Sequence, residues 1–220
     1  RRFTFSVNAR LRWEWAPGSE LFIVYTEARD TDPVFLDGRD RWAELSNRAL
    51  VTNTLMALAR IEFPAEIRFL CPAPISHGAG SVVLPTLVRG GTVILQRGFS
   101  VSRFAEAAKL HRATVSWMVP TMIGALLDAP DLPSGALSSI DTLIYSGAPM
   151  EPARVLEALD RFGEIFVQCY GQSEAPNTIL VLDKTEHRAA PDAAGRPFPG
   201  IEVRLLDETG GIGEIAVRGS

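Results

Sequence analysis

The chain has 220 residues, of which 46% are hydrophobic and 22% are charged, and its formal net charge is −4. This composition is typical of a globular protein with one or two domains. Lys and Arg are scattered and the balance is acidic, which argues against nucleic-acid binding. No apolar run approaches the roughly 20 residues of a membrane helix, so we expect no membrane span, and we expect no signal peptide.

The two cysteines, Cys71 and Cys169, are about a hundred residues apart and form no CxxC pair. Neither has a His pair nearby, so the sequence does not indicate a metal site built on cysteine. Each lies in or beside an apolar run, where a free thiol usually behaves as a small hydrophobic side chain. Unpaired thiols of this kind fit a reduced, cytoplasmic protein.

Residues 3–26 alternate between apolar and polar side chains on both sides of a turn cluster at residues 16–19. A period of two around a Pro-Gly turn predicts a β-hairpin. The stretch VNARLRWEWAPGSELFIVYTEARDTD resembles strands near the carboxyl end of a bacterial outer-membrane barrel family. An ordinary amphipathic hairpin fits the same pattern equally well. Residues 27–43 are rich in Asp and Arg and are predicted to form a loop.

From residue 46 the pattern changes to helices alternating with short apolar strands. Ser46 is a candidate N-cap for the first helix, which should end before Pro64. The predicted strands are 67–72, 92–96, 114–119, 140–145 and 165–170. The predicted helices between and after them are 79–89, 101–112, 121–128 and 151–161. Nearly continuous apolar strands separated by helices predict an α/β fold with a parallel sheet flanked by helices.

The segments TILVL, IEVRLLD and GEIAVRG, from residue 178 on, predict a small antiparallel β unit. We therefore expect three parts. Residues 1–45 form a hairpin and loop foreign to the rest, residues 46–177 form an α/β subdomain, and residues 178–220 begin a β subdomain that is cut short.

Three polar, glycine-containing segments each follow a predicted strand. They are Pro74–Gly80, Tyr145–Met150 and Gln168–Glu174. Ligands of open parallel sheets bind beyond the carboxyl ends of the strands, so these segments could form one site. Each is a weak signal alone, since His77 could be an ordinary loop histidine and Gly147–Pro149 a tight turn.

In combination and order, these segments resemble the adenylate-forming superfamily of acyl-CoA synthetases, luciferases and peptide-synthetase adenylation domains. GRPFPGIEVRLLDETG and GEIAVRG match the next two segments of that family. The resemblance covers roughly residues 46–220. It implies an AMP-forming ligase that activates a carboxylic acid with ATP and transfers the acyl group to coenzyme A. The apolar, small residues around 75–84 favour a fatty or otherwise hydrophobic acid.

The resemblance also implies roles for individual residues. Ser146, Gly147, Ala148 and Pro149 would line the adenine slot, and Tyr170, Gly171 and Gln172 would complete the nucleotide site. Ser173 would donate to phosphate oxygens. Glu174 would hold Mg²⁺, a hard cation that prefers oxygen ligands. His77 would lie beside the acyl carboxylate. Gly78–Gly80, Trp117 and Met118 could line the acyl pocket, although core packing suits the last two better.

One part of the family pattern is missing inside the chain. The phosphate-binding loop should precede Leu45, but the sequence there, FLDGRDRWAE, has neither a Ser/Thr/Gly run nor a Lys. We also expect a lid domain with its catalytic Lys to be absent, and the chain to be inactive alone. Two alternatives stay open: a non-catalytic module that binds a nucleotide or acyl group, and an envelope-barrel fragment fused by mis-assembly.

Overall fold

The computed structural model describes residues 3–16, 19–31, 47–133, 135–172, 175–209 and 212–219. Contacts divide the chain into two compact units, Arg1–Ala43 and Glu44–Ser220. No helix in the described ranges is both long and apolar enough to cross a bilayer.

The first unit contains an antiparallel hairpin of β1 (Phe3–Ala16) and β2 (Ser19–Thr31). The predicted hairpin is thereby confirmed, and its relation to a barrel stays a prediction. The predicted loop is wrong for residues 27–31, which belong to β2, and residues 32–43 lie outside the described ranges. The physical reason is register: Phe3 pairs with Thr31, so β2 must continue through its charged residues to match β1. Backbone pairing outweighs the weak strand preference of Asp and Arg.

The second unit is built on a seven-stranded mixed sheet. Its strands lie in the order β4-β3-β5-β6-β7-β8-β9, and β3 to β7 are parallel to one another. The strands are β3 (Arg68–Cys71), β4 (Thr92–Leu95), β5 (Val115–Met118), β6 (Thr142–Tyr145), β7 (Phe166–Gln172), β8 (Ala175–Leu182) and β9 (Arg196–Pro197). The helices are α1 (Asn47–Arg60), α2 (Val83–Val88), α3 (Val101–His111), α4 (Pro120–Leu127) and α5 (Pro152–Phe162). The predicted parallel sheet flanked by helices is confirmed.

Alternate residues of the strands enter two hydrophobic clusters on opposite faces of this sheet. Phe69, Trp117 and Ile144 pack with α1 residues in one cluster, whereas Leu70 and Leu143 pack with residues of α3, α4 and α5 in the other. This two-sided burial explains why the strands are nearly continuous apolar runs.

Two elements differ from the predicted ones. The helix predicted at 79–89 is a 3₁₀ turn (Gly78–Val82) followed by α2. The strand predicted at 178–182 is part of β8, which pairs antiparallel with β7 in the main sheet and not with the small antiparallel unit. Thr178, Ile179, Val181 and Leu182 are all buried, as expected for an inner strand. The small unit consists of β10 (Glu202–Thr209) and β11 (Ile212–Arg218).

We expect that deleting residues 1–43 leaves the second unit folded. The contacts that define Glu44–Ser220 as a unit lie within it, and the hairpin pairs within its own unit. The truncated chain should keep the helical circular dichroism signal and a single cooperative urea transition. Loss of that cooperativity would show that the hairpin is an integral part of the domain.

Candidate active site

The first predicted loop follows β3 and ends in a tight turn around His77. The His77 N–H donates to the carbonyl oxygen of Pro74 at 3.2 Å, and the Gly80 N–H donates to the His77 carbonyl oxygen at 2.8 Å. The His77 ring is exposed, and its Nδ1 lies 3.0 Å from Ser76 Oγ. The turn therefore presents an imidazole to solvent, where a substrate can reach it.

The second loop follows β6. Ser146 is buried, and its N–H donates to the carbonyl oxygen of Met118 at 3.2 Å, which extends the ladder between β5 and β6 by one residue. Gly147 has a φ of +91°, a conformation that side chains rarely adopt. Ala148 and Pro149 are exposed. The sheet thus anchors the loop at Ser146 and leaves the next three residues accessible.

The third segment is strand as far as Gln172 rather than loop from Gly171. Tyr170 and Gly171 are half-buried, and Gln172 Nε2 donates to the Tyr170 hydroxyl at 3.1 Å. Ser173 and Glu174 lie outside the described residues, so their predicted roles stay predictions. Within the described ranges, no three His, Cys, Asp or Glu side chains are grouped to hold a metal ion.

The parallel direction of β3, β6 and β7 brings these segments to the same end of the sheet. β6 is next to β7, and only β5 separates β3 from β6. With strands about 4.8 Å apart, β3 and β7 are about 14 Å apart. His77 and Gly147–Pro149 therefore follow strands that end on one side, as expected for a site at this edge.

The two residues suggested for an acyl pocket lie on opposite faces of the sheet. Trp117 belongs to the cluster on the α1 face, and Met118 belongs to the cluster on the face of α3, α4 and α5. Because successive strand residues alternate in direction, one pocket cannot receive both side chains. Trp117 is on the same face as Ala79 and Val82 of the turn that follows His77.

A buried polar group under the second loop was not predicted. Tyr145, the last residue of β6, donates its hydroxyl to Gln168 Oε1 of β7 at 2.9 Å, and burial raises the pKa of this phenol. The His187 ring packs against Tyr145 with centroids 5.7 Å apart. His187 is fully buried, and its Nδ1 lies 2.7 Å from the Asp183 carbonyl oxygen. The sequence carries no signal for His187, since it lies among charged residues in a turn.

The stability of the second unit should depend on pH through His187, because this histidine is buried. The Asp183 carbonyl can only accept, so Nδ1 carries the proton of the neutral ring. Nε2 is buried without a partner among the described residues. Burial lowers the pKa of His187 from its ordinary value of 6.5, although hydrogen bonds to backbone carbonyls act in the opposite direction. The unfolded chain therefore takes up the proton first as the pH falls.

We expect the contribution of neutral His187 to the free energy of unfolding to be fully present above about pH 6.5. Below that pH it should fall by at most about 1.4 kcal/mol for each pH unit. His187→Asn should remove this contribution to the pH dependence, and urea denaturation between about pH 7.5 and about pH 5 measures it. His77→Asn is the matched control, since it retains His187 and should keep the loss in acid. An identical pH profile for His187→Asn and wild type would contradict the assignment.

Comparisons with known proteins match most of this chain. A family model described as "AMP-binding enzyme" matches residues 38–220. The medium/long-chain-fatty-acid–CoA ligase FadD8 of Mycobacterium tuberculosis is 39% identical over 179 residues, which are 78% of this chain and 31% of that protein. A feruloyl-CoA synthase of an Amycolatopsis species is 38% identical over 175 residues, which are 79% of this chain and 35% of that protein. The chain spans about a third of the length of these relatives.

Solved structures show the same fold. The amide bond synthetase McbA from Marinactinospora thermotolerans has a TM-score of 0.70 at 35% identity, over 78% of this chain and 36% of that one. The o-succinylbenzoate coenzyme A synthetase of Bacillus subtilis, solved with ATP and a magnesium ion, has a TM-score of 0.69 at 24% identity, over 80% of this chain and 38% of that one. The family match extends over most of the chain and includes the residues of all three predicted segments. The chain belongs to the family of AMP-binding enzymes.

Proposed function

We propose that the chain is the nucleotide- and acyl-binding part of an AMP-forming carboxylate–CoA ligase. Such an enzyme joins a carboxylic acid to the α-phosphate of ATP, releases pyrophosphate and passes the acyl group to coenzyme A. The observation that carries the proposal is the common end of the sheet at which β3, β6 and β7 finish. Two of the relatives are named as enzymes that join an acid to coenzyme A, which supports this reaction class.

The nucleotide part of the site consists of the segments after β6 and around the end of β7. Ser146–Pro149 would line the adenine, because a glycine with no side chain and an exposed backbone allow a flat ring to approach closely. Tyr170 would pack on the adenine, with Gly171 and Gln172 beside it. The hydrogen bond from Gln172 to the Tyr170 hydroxyl supports a fixed orientation of that ring.

The reacting groups are anions, so catalysis depends on positioning and on charge neutralisation. His77 would approach the acyl carboxylate from the exposed turn after β3. Ser173 would donate to phosphate oxygens, and Glu174 would be the protein ligand of Mg²⁺. When bound, Mg²⁺ would neutralise phosphate charge in the approach of the carboxylate.

A reduced, cytoplasmic location is part of the proposal. Cys71 and Cys169 are free and buried, and burial raises the pKa of their thiols to about 11 and about 12. Thiols that stay protonated are unreactive, and unpaired cysteines are typical of reducing compartments.

A second candidate function is a module that binds a nucleotide or acyl group without catalysing a reaction. The observation in its favour is residues 35–44, where the sequence has no Lys and no Ser or Thr to hold the β- and γ-phosphates of ATP. AMP lacks the β- and γ-phosphates, so its binding would not need such residues.

AMP binding tests both candidates, and only ATP–pyrophosphate exchange above background would separate them. We expect saturable AMP binding that shifts the amide signals of Gly147 and Tyr170, and ATP–pyrophosphate exchange at background with fatty and aromatic acids. Gly147→Ala should weaken AMP binding at least about fivefold, the equivalent of about 1 kcal/mol. Gly98→Ala is the matched control, since Gly98 is also exposed with a positive φ and follows β4. Robust exchange would exclude the non-catalytic module, and absence of AMP binding would exclude both candidates.

A further inference from the structure

A side-chain hydrogen bond joins β6 and β7 at the proposed nucleotide site. Tyr145 and Gln168 are partners in the parallel register of these strands, and the Tyr145 hydroxyl donates to Gln168 Oε1 at 2.9 Å. Tyr145 directly precedes Ser146, where the loop proposed to line adenine begins. Gln168 is two residues before Tyr170, so these two side chains lie on the same face of β7. The hydrogen bond therefore connects the two segments between which the base would lie.

The phenol ring that carries this hydroxyl packs against two other rings. Tyr145 is only 1% exposed, and burial raises the pKa of its hydroxyl, so the group stays protonated and remains a donor. The ring of Phe166, on β7, lies edge-on to it with centroids 6.3 Å apart. The ring of His187, from the turn after β8, has its centroid 5.7 Å away. These contacts restrict the movement of a buried ring, so the hydroxyl has a fixed position.

The hydrogen bond acts at the point where the loop leaves the sheet. The register of β6 and β7 has its last described pair at Tyr145 and Gln168. The next residue, Ser146, donates its N–H to the Met118 carbonyl oxygen of β5, on the other side of β6, and Gly147 then turns with a φ of +91°. A contact at this point fixes the direction in which the loop begins. Segments that are ordered before the ligand arrives lower the entropic cost of binding.

We propose that Tyr145 is a positioning residue of the nucleotide site, whose hydrogen bond to Gln168 sets the distance between the loop after β6 and the Tyr170 ring. The inference rests on the proposed function and adds a residue that acts on the same site. Tyr145 does not itself contact the nucleotide, because its ring is buried in the cluster on the face of α3, α4 and α5. Without the hydroxyl this contact no longer links the two segments, and AMP binding must bring them into place.

Tyr145→Phe tests this role because it keeps the ring and removes only the hydroxyl. In the full 220-residue chain labelled with ¹⁵N, the Gly147 and Tyr170 amide signals follow AMP binding. We expect the variant to bind AMP about fivefold more weakly than wild type, the effect of about one hydrogen bond. Ser116→Ala is the matched control. It removes a fully buried hydroxyl of β5, which donates to the Leu70 carbonyl oxygen at 2.8 Å, so it should lower the urea midpoint and leave AMP affinity unchanged.

Gln168→Leu breaks the same hydrogen bond from the other strand and should weaken AMP binding by a similar factor, also if the tyrosine variant does not fold. Adding Tyr145→Phe to Gln168→Leu should cause no further loss of affinity, because both changes remove one interaction. Wild-type affinity of either single variant, or losses that multiply in the double variant, would overturn the inference and leave the proposed function in place, since wild type still binds AMP. An equal loss of affinity in Ser116→Ala would also overturn it, because the effect would then follow stability. If AMP shifts neither the Gly147 nor the Tyr170 signal of wild type, the proposed function fails and the inference with it.

Discussion

Gly195→Ala is expected to destabilise the second unit by about 3 kcal/mol or more. Gly195 has a φ of +99°, which strains any L side chain. A Cβ atom there would lie 2.0 Å from the carbonyl oxygen of Val181 and 2.4 Å from the nitrogen of Leu182. These are backbone atoms of β8, which is held by β7 on one side and β9 on the other. Urea denaturation, followed by the helical circular dichroism signal, measures the loss.

Gly163→Ala separates backbone strain from collision. Gly163 has a similar φ of +84°, but nothing lies within 4 Å of the position that a Cβ would take. Its replacement should therefore cost only the strain of a backbone conformation that is essentially restricted to glycine, with a ψ of −175°, about 1–3 kcal/mol. Equal losses for the two variants would show that contact with β8 does not matter.

The parallel sheet could be predicted because both faces of its inner strands β3, β5 and β6 are buried. Each of the five predicted strands overlaps an observed one, and continuous apolar runs between helices are specific to this arrangement. The end of β2 and the partner of β8 could not be predicted in this way. Both depend on which strand lies alongside: Phe3 fixes the end of β2 through Thr31, and Cys169 of β7 pairs with Val181. Single-sequence patterns contain no information on such pairings.

The exposed part of the candidate site could also be predicted, because polar residues directly after a buried strand have no packing role. His77, Ala148 and Pro149 are exposed, and the structure places the strands that precede them in the parallel part of one sheet. The supporting residues were not predictable. Gln168 meets Tyr145 across 23 positions of sequence, and His187 lies in a charged turn that resembles a solvated loop. Their roles arise only when the strands are side by side.

Gly80→Ala should change both stability and the position of His77. The backbone of Gly80 is not left-handed, so an alanine there meets no conformational strain. The obstacle is space, since a Cβ would lie 1.9 Å from the carbonyl oxygen of Ile75. We expect a loss of about 1–3 kcal/mol, typical of overpacking, in urea denaturation.

The collision must open the turn in which His77 is held, because Gly80 donates its N–H to the His77 carbonyl oxygen and His77 donates to Pro74. Gly80→Ala should therefore shift the His77 amide signal and weaken binding of the acid more than binding of AMP, whose predicted site is two strands away on β6. Gly124→Ala on α4 is the matched control with the opposite sign. Its Cβ would meet only the Arg154 guanidinium at 3.7 Å, an ordinary contact, and alanine is the better helix former by about 0.5–1 kcal/mol. A Gly80→Ala chain as stable as wild type, with its His77 signal unmoved, would show that the turn is loose and does not position the histidine.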